Sequence, residues 1–587
     1  MKNRYFILYG LISIFLLIFI KKDYLLLLDM IFSFNINVAS SFYGLNIIEA
    51  SLPLFLFIKI INSVIPAVVI QKIILFSIFF LSGISMHNLI NTKRRLPRYF
   101  AGLFYMINPF VYVRFMAGHW LFLLGYAILP FTIKSIMNFF DNPDKKQTIK
   151  TCLMITLTGI FSIHMLFLVL FLFLIFFIFK FKKQLIKPVL FLALIFLVLN
   201  FYWLIPVLTA ESTKIGQISE VDLQIFATRG GTINVLTNSA MLYGFWREEA
   251  YILPSKIIPI LFYFALFIIL LYLTIHGYLT LESKYKKPIL ATAILSLFLA
   301  VGISHPWFSD TFLFLFKNLF FMKGFREPQK FLALVAFAYA YFSAYGIDAL
   351  LKNPKRYVKG ALILLLILPI LYTPTMFNSF WNQLGPTDYP NDWYEINEHL
   401  NQDRQDFNVL FLPWHGYMNF KFVQNQEKRI ANPAKSFFNK PIIQADNIET
   451  GSLYSHTTNP LSLYTEEVLK NQINTAEKLR LIDVKYIILA KEVNYKDYEY
   501  LLNQTNLKLV KETENLYLIE NNLQVNKFYQ SDDLKELEPL GYEKKFTIRY
   551  NIEKPSKRYV IFTEAYNNGW ELGNQKPLEG TVNVYEF

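Results

Sequence analysis

The sequence predicts a polytopic α-helical membrane protein of about eleven transmembrane helices, followed by a soluble domain of α/β and then β structure. Three observations carry that prediction. Of 587 residues 54% are hydrophobic, with 58 Phe, and many apolar runs approach the roughly 20 residues a helix needs to cross a bilayer. Basic clusters punctuate those runs at every second loop. After residue 378 the long apolar runs stop, Phe thins out, and Asn, Asp, Glu and Lys rise.

Charge divides the same way. Residues 379–587 hold 23 Lys and Arg against 29 Asp and Glu, and residues 1–378 the remaining 34 against 14, so the net charges are −6 and +20. Basic loops beside membrane helices account for the excess through anionic lipid, and no nucleic-acid partner is implied. The single cysteine, Cys152, lies inside an apolar run, which excludes a disulfide framework and a Cys-based zinc site.

The candidate crossings are 5–20, 68–90, 99–113, 119–140, 149–162, 163–179, 187–208, 256–276, 288–305, 330–350 and 359–378. Basic residues cluster at Lys2 and Arg4 and in "NTKRRLPR", "DNPDKKQTIK", "KFKKQLIK", "ESKYKK" and "KNPKRYVK". Because Lys and Arg in short loops set orientation, the N-terminus is expected in the cytoplasm of a multi-pass plasma-membrane protein, with residues 379–587 outside. The first run lacks a small-residue cleavage site and reads as a crossing rather than a removed signal. The first outer loop, 21–67, carries "KKDYLLLLDMIFSFN" and then "ASLPLFLFIKIINSVIP", an apolar stretch suited to lying in the membrane interface. In the C-terminal domain "FNVLFLP", "VKYIILA" and "RYVIFTEAY" read as strands, with helical patterns between the first two. No P-loop or Rossmann glycine pattern is present, and nucleotide chemistry has no seat.

Candidate functional residues stand out where charge interrupts apolar sequence. In "FYMINPFVYVRFMAGHWLFLLGYAILPF" Arg114 and His119 sit five residues apart with Gly118 beside them. The crossing before them spans about 22 Å at 1.5 Å per residue, short of the roughly 30 Å hydrocarbon core, so their turn is expected below the membrane surface, facing a cavity and an anionic partner. The alternative is that Arg114 snorkels to headgroups and His119 only packs. "GFREPQKF" brings Lys323, Arg326, Glu327 and Lys330 together before the tenth crossing, a donor set suited to a phosphate or to a headgroup collar. In the loop 209–255, Trp246 and Arg247 stand beside Glu248 and Glu249, which suits either a sugar contact or a purely structural loop. Asp29, inside "YLLLLDMIF", is flanked by apolar residues expected to press it against the bilayer; burial there would raise its pKa toward that of a general base, the other reading being a structural ion pair.

Taken in order, "YMINPFVYVRFMAGHWLFLLGYAILPF", "FREPQKF", "LRLIDVKYIILA" and "EAYNNGWEL" resemble membrane proteins of the GT-C superfamily, specifically an archaeal and bacterial group related to arabinofuranosyltransferases and YfhO-type proteins. The resemblance implies a GT-C-like catalytic domain over 1–378 that transfers a sugar from a polyprenyl-phosphate carrier to a lipid or glycan acceptor. It implies Asp29 as the general base and Arg114, His119 and Arg326 as donor-phosphate contacts; the charged stretches themselves add Glu327, Lys330 and Arg247 as candidate substrate contacts. Asp29 has no acidic neighbour in an Asp-x-Asp arrangement, so no metal is expected to be obligatory, although a divalent ion remains compatible. Two rival readings stay open, a lipid-linked sugar flippase and a non-catalytic scaffold. Relatives often continue beyond the point where this chain stops at Phe587.

Overall fold

The computed structural model describes residues 4–34, 49–209, 218–231, 233–352, 364–450, 453–455, 459–546 and 549–586. The chain forms two compact units, the first made of Met1–Lys22, Ile48–Ile61 and Val69–Pro386, the second of Asp23–Ile47, Asn62–Val68 and Thr387–Phe587. The start of the long first loop therefore belongs with the C-terminal sequence rather than with the helices on either side of it.

The first unit is helical: α1 (Arg4–Leu17), α2 (Leu52–Asn62), α3 (Ala67–Leu89), α4 (Arg95–Met106), α5 (Pro109–Met116), α6 (Trp120–Asp141), α7 (Lys145–Phe161), α8 (Ile163–Lys180), α9 (Ile186–Thr209), α10 (Glu220–Ile225), α11 (Val235–Ala240), α12 (Ile260–Thr280), α13 (Lys286–Val301), α14 (Pro306–Asn318) and α15 (Leu332–Leu350). Among the described residues seven helical segments are long and apolar enough to cross a membrane: Ala67–Leu89, Trp120–Asp141, Ile163–Lys180, Lys183–Thr209, Ile260–Thr280, Lys286–Ser304 and Pro328–Leu350. The expected crossing 5–20 is the shorter apolar α1 with its 3₁₀ extension to Ile20. The expected crossing 149–162 falls in α7, closed by Ser162, whose hydroxyl accepts from the Met165 N–H and caps α8. The expected crossing 99–113 is broken into α4 and α5. Residues 359–363 of the last expected crossing, like Glu211 and residues 35–48 of the first loop, lie outside the described residues.

Side-chain size decides how closely these helices approach. The helices α12 and α15 pack together, and at their contact a Cβ on Gly277 would run into Phe342 O, while one on Gly346 would run into Leu273 O. Apolar side chains gain little by leaving lipid for protein, so membrane helices rely on such close approach. Gly277→Leu is therefore expected to force α12 off α15 and to lose about 1–3 kcal/mol, the scale of core overpacking. A thermal melt of the detergent-purified variant checks this, and an unchanged midpoint would mean that the two helices can part without loss. By contrast α9 leaves Leu190, Leu194, Val198 and Leu208 exposed, as a lipid-facing helix would.

The second unit is built on a five-stranded sheet in the order Ile442–Ile443, Asn408–Leu412, Val484–Ala490, Leu516–Asn521, Leu507–Glu512. The first three strands are parallel; Leu516–Asn521 pairs antiparallel with Val484–Ala490, and Leu507–Glu512 pairs antiparallel with Leu516–Asn521. A four-stranded antiparallel sheet follows, in the order Glu538–Pro539, Phe528–Ser531, Tyr559–Ala565, Val582–Glu586. Tyr529, Ile561 and Val582 of that sheet share one apolar core with Leu410, Ile487 and Ile519 of the first. Lys527, almost wholly buried, pairs with Glu564 at 2.6 Å and Asp483 at 3.3 Å, and joins the two sheets. The strands read from "FNVLFLP", "VKYIILA" and "RYVIFTEAY" are all present.

The start of the first loop completes this unit. Tyr24 and Thr387 exchange backbone hydrogen bonds of 3.0 and 2.8 Å, the Ala431 N–H donates to Leu28 O at 2.8 Å, and the Tyr389 hydroxyl donates to Phe32 O at 2.9 Å. Leu25, Leu26, Leu27 and Leu28 are buried. The apolar flanks of Asp29 thus pack into protein, and Asp29 itself is exposed, contrary to the expectation of a carboxyl pressed into the bilayer surface. The physical reason is a tight turn in which Leu27 and Met30 exchange two 3.1 Å backbone hydrogen bonds, pointing their side chains inward and Asp29 outward.

Candidate functional site

In the first unit the site is built from Asn108. Its Oδ1 accepts from the Val111 N–H at 3.1 Å, capping α5, and Pro109 occupies the first helical position, where its missing N–H costs nothing. Its Nδ2 donates to Phe104 O and Tyr105 O at 2.9 and 3.0 Å, satisfying the last turn of α4. The Asn-Pro pair therefore cuts one apolar run into two helices with both ends capped. Tyr105 and Tyr126 stack at 4.1 Å, and each phenol donates to the other's backbone carbonyl, at 2.8 and 3.0 Å, which pins α4 to α6. Gly118, at φ 77°, takes the left-handed conformation that turns the chain from α5 into α6. The His119 N–H then donates to Arg114 O at 3.0 Å. That turn is why two polar side chains five residues apart meet, with Arg114 Nη1 3.1 Å from His119 Nδ1.

Arg114 is fully buried and its Nη1 donates to Glu327 Oε2 at 2.6 Å. Glu327 comes from the 3₁₀ stretch ahead of α15, where the Lys330 N–H bonds Glu327 O at 3.2 Å and keeps both side chains together. Lys330 Nζ lies 3.7 Å from Glu327 Oε2 and 3.2 Å from His164 Nε2. His164, from the first turn of α8, has the same nitrogen 2.9 Å from Gly324 O. The Phe245 ring covers the cluster, 4.7 Å from the Arg114 guanidinium carbon and edge-on to His119, a cation–π arrangement.

Arg326, next to Glu327 in sequence, turns to Asp222 at 3.3 Å and lies over the Phe226 ring at 4.3 Å. Phe226 in turn accepts a 2.9 Å hydrogen bond at its carbonyl from Gln329 Nε2 and packs edge-on against Trp246. Arg247 stacks on Trp246 at 5.9 Å. Glu248 is buried and holds the loop, accepting from Asn238 Nδ2 at 2.9 Å and from the Gly244 N–H at 2.7 Å; burial pushes its carboxyl up to about 7.

The structure thus brings Arg114, His119, Glu327 and Lys330 into one cluster, sets Arg326 beside it on Asp222, and leaves Arg247 on Trp246. Asp29 belongs to the second unit, where its Oδ1 accepts a 2.8 Å hydrogen bond from the Tyr417 hydroxyl. Two participants were not singled out from the sequence. His164 is a lone histidine at a helix start, with no further signal in the sequence. Asp222 sits in an ordinary capping box with Ser219. Across Arg114, Lys330, Arg326, Glu327 and Asp222, three cations meet two carboxylates, and two imidazoles adjoin them. Buried ion pairs add little net stability compared with apolar packing, and ionisable groups among membrane helices mark sites of use.

The fold is similar to that of arabinofuranosyltransferase AftD from Mycobacteria, determined by cryo-electron microscopy, with a TM-score of 0.62 at 11% identity over 90% of this chain and 41% of that one. Two classes of a single-substitution variant of AftD give TM-scores of 0.60 at 11% and 10% identity, covering 90% of this chain and 43% and 42% of theirs. The chain spans less than half the length of these neighbours. No family model matches the sequence, and no curated protein matches it either. The fold observed is therefore similar to that of an arabinofuranosyltransferase, the kind of protein the sequence motifs resemble.

Proposed function

We propose that the protein is a membrane glycosyltransferase that moves a sugar from a polyprenyl-phosphate-linked donor to a lipid or glycan acceptor. In this reading the reaction takes place at the outer face of the plasma membrane, with the N-terminus cytoplasmic and residues 379–587 extracytoplasmic. The observation that carries it is the meeting of Arg114 and Lys330 on a single carboxylate, Glu327, with His119 against Arg114, His164 against Lys330 and Arg326 alongside. As the glycosidic C–O bond of the donor breaks, negative charge grows on the departing phosphate, and fixed cations in a dry site stabilise it without reorganising. The similarity in fold to an arabinofuranosyltransferase supports the same reaction class. The base is Asp29, which takes the proton of the acceptor hydroxyl as its oxygen bonds the anomeric carbon.

Membrane fractions carrying the protein, supplied with a panel of radiolabelled polyprenyl-phosphate pentoses and hexoses, test this directly; sugar movement across sealed vesicles with no transfer product would favour a flippase. Arg326 offers the sharper check, because its side chain is partly exposed and pairs with Asp222 rather than with Glu327. Arg326→Ala is expected to weaken donor binding by about 1.5–3 kcal/mol, the scale of a hydrogen bond to a charged group. Unchanged donor affinity would make Arg326 a headgroup anchor.

A further inference from the structure

We infer that Tyr417 is a positioning residue for Asp29, so that the second unit itself sets the geometry of the proposed base; the inference rests on the assignment of Asp29 as that base. The two residues are 388 positions apart, and the fold brings them together by backbone pairing. Tyr417–Asn419 pairs antiparallel with Arg429–Ala431, placing Tyr417 opposite Ala431, and the Ala431 N–H donates to Leu28 O at 2.8 Å. Leu28 precedes Asp29, so the turn that carries the carboxylate is held to the same Arg429–Ala431 strand that pairs with Tyr417–Asn419, and the Tyr417 hydroxyl donates to Asp29 Oδ1 at 2.8 Å.

What surrounds the pair makes the geometry firm. The turn carrying Asp29 is closed by the Leu27–Met30 hydrogen bonds, its flanking leucines are buried, and Asn425 Nδ2 donates to Leu26 O while Ser33 Oγ donates to Ser436 O. Every one of these contacts holds backbone; the one from Tyr417 holds the functional group. The chemistry suits a base. A lysine in this place would neutralise the carboxylate, whereas a phenol donates one hydrogen bond, fixes the plane of the carboxyl group and leaves its charge in place. Orientation of an attacking pair is worth much of a rate, and small misplacements cost turnover rather than binding.

The test is a double-mutant cycle in the full-length protein, with a radiolabelled polyprenyl-phosphate arabinofuranose as donor. Tyr417→Phe, which keeps the ring, is expected to lower kcat roughly tenfold, the scale of one hydrogen bond to a charged group, with the donor KM and the thermal midpoint unchanged. In an Asp29→Asn background the same change is expected to do nothing more, because its effect passes through the carboxylate. Tyr389→Phe, which removes a phenol that holds only the Phe32 carbonyl of the same segment, separates holding the segment from holding the carboxylate and is expected to leave kcat within about twofold. Wild-type kcat in Tyr417→Phe alongside an inactive Asp29→Asn would overturn the positioning role alone, as would equal losses from Tyr417→Phe in both backgrounds. Near-normal transfer by Asp29→Asn would instead remove the base assignment, and the positioning role with it.

Discussion

Glu327→Ala is expected to cost about 3–5 kcal/mol of stability, the penalty for leaving a buried charge uncompensated. Arg114 is fully buried, 2.6 Å from the Glu327 carboxylate, and Lys330 lies 3.7 Å from the same oxygen. Removing the carboxylate takes away the anion that both Arg114 and Lys330 face. The double variant Arg114→Met/Glu327→Leu removes the central pair and fills its volume with apolar atoms, so it is expected to recover most of the lost stability, since well-packed apolar residues replace buried ion pairs at little cost or with a gain. Neither protein is expected to transfer sugar if the cluster holds the donor phosphate. Denaturant unfolding of detergent-purified protein measures the first claim and the membrane-fraction assay the second. A single variant as stable as the wild type would mean that the cations are compensated from elsewhere, and a folded double variant with full activity would strip the cluster of its role.

The membrane part of the fold was legible because its signals are local. Long apolar runs punctuated by basic clusters announce the helices, and the observed ends of α3, α6, α8, α9 and α15 lie within a few residues of the boundaries read from sequence. The stretch 99–113 before Arg114 was read as one short crossing, and the Asn-Pro break inside it, which separates α4 from α5, was not read. Arg114 and His119 announced themselves as charge inside apolar sequence. Glu327 was legible as part of a charged patch but not as the partner of Arg114, because no local pattern specifies a pairing 213 residues apart. His164 carried no signal beyond being a histidine at the start of a helix.

The setting of Asp29 was the least legible feature. A run such as Tyr-Leu-Leu-Leu-Leu has no period that separates a segment lying on lipid from one buried on both faces inside a protein. What decides between them is the pairing of Leu28 with Ala431 and of Tyr24 with Thr387, contacts that only the complete fold creates. The same pairing explains why a loop near the N-terminus groups with the C-terminal unit. It also changes the physical basis of the proposed role. For a base at this exposed position, what the fold offers is orientation through Tyr417 and not an apolar burial.

Asp29→Asn is the substitution expected to have the largest effect on turnover, about two to four orders of magnitude, the usual range for removal of a general acid–base group. Asparagine keeps the size of the side chain and an oxygen that can still accept from Tyr417, so the turn closed by Leu27 and Met30 and the buried leucines beside it are expected to stay in place. Stability is therefore expected to change by less than about 0.5 kcal/mol, as for most surface substitutions, and donor binding is expected to be unchanged, since the cationic cluster is untouched. The loss should fall on kcat with the donor KM preserved, the pattern of an interaction made only in the transition state. Asp23→Asn is the control, six residues earlier and beside Lys21 and Lys22, and is expected to do much less. Glycosyl transfer at near-normal rate by a folded Asp29→Asn protein would end the assignment and turn attention to Glu248, the buried carboxyl of the loop that places Phe245 over Arg114.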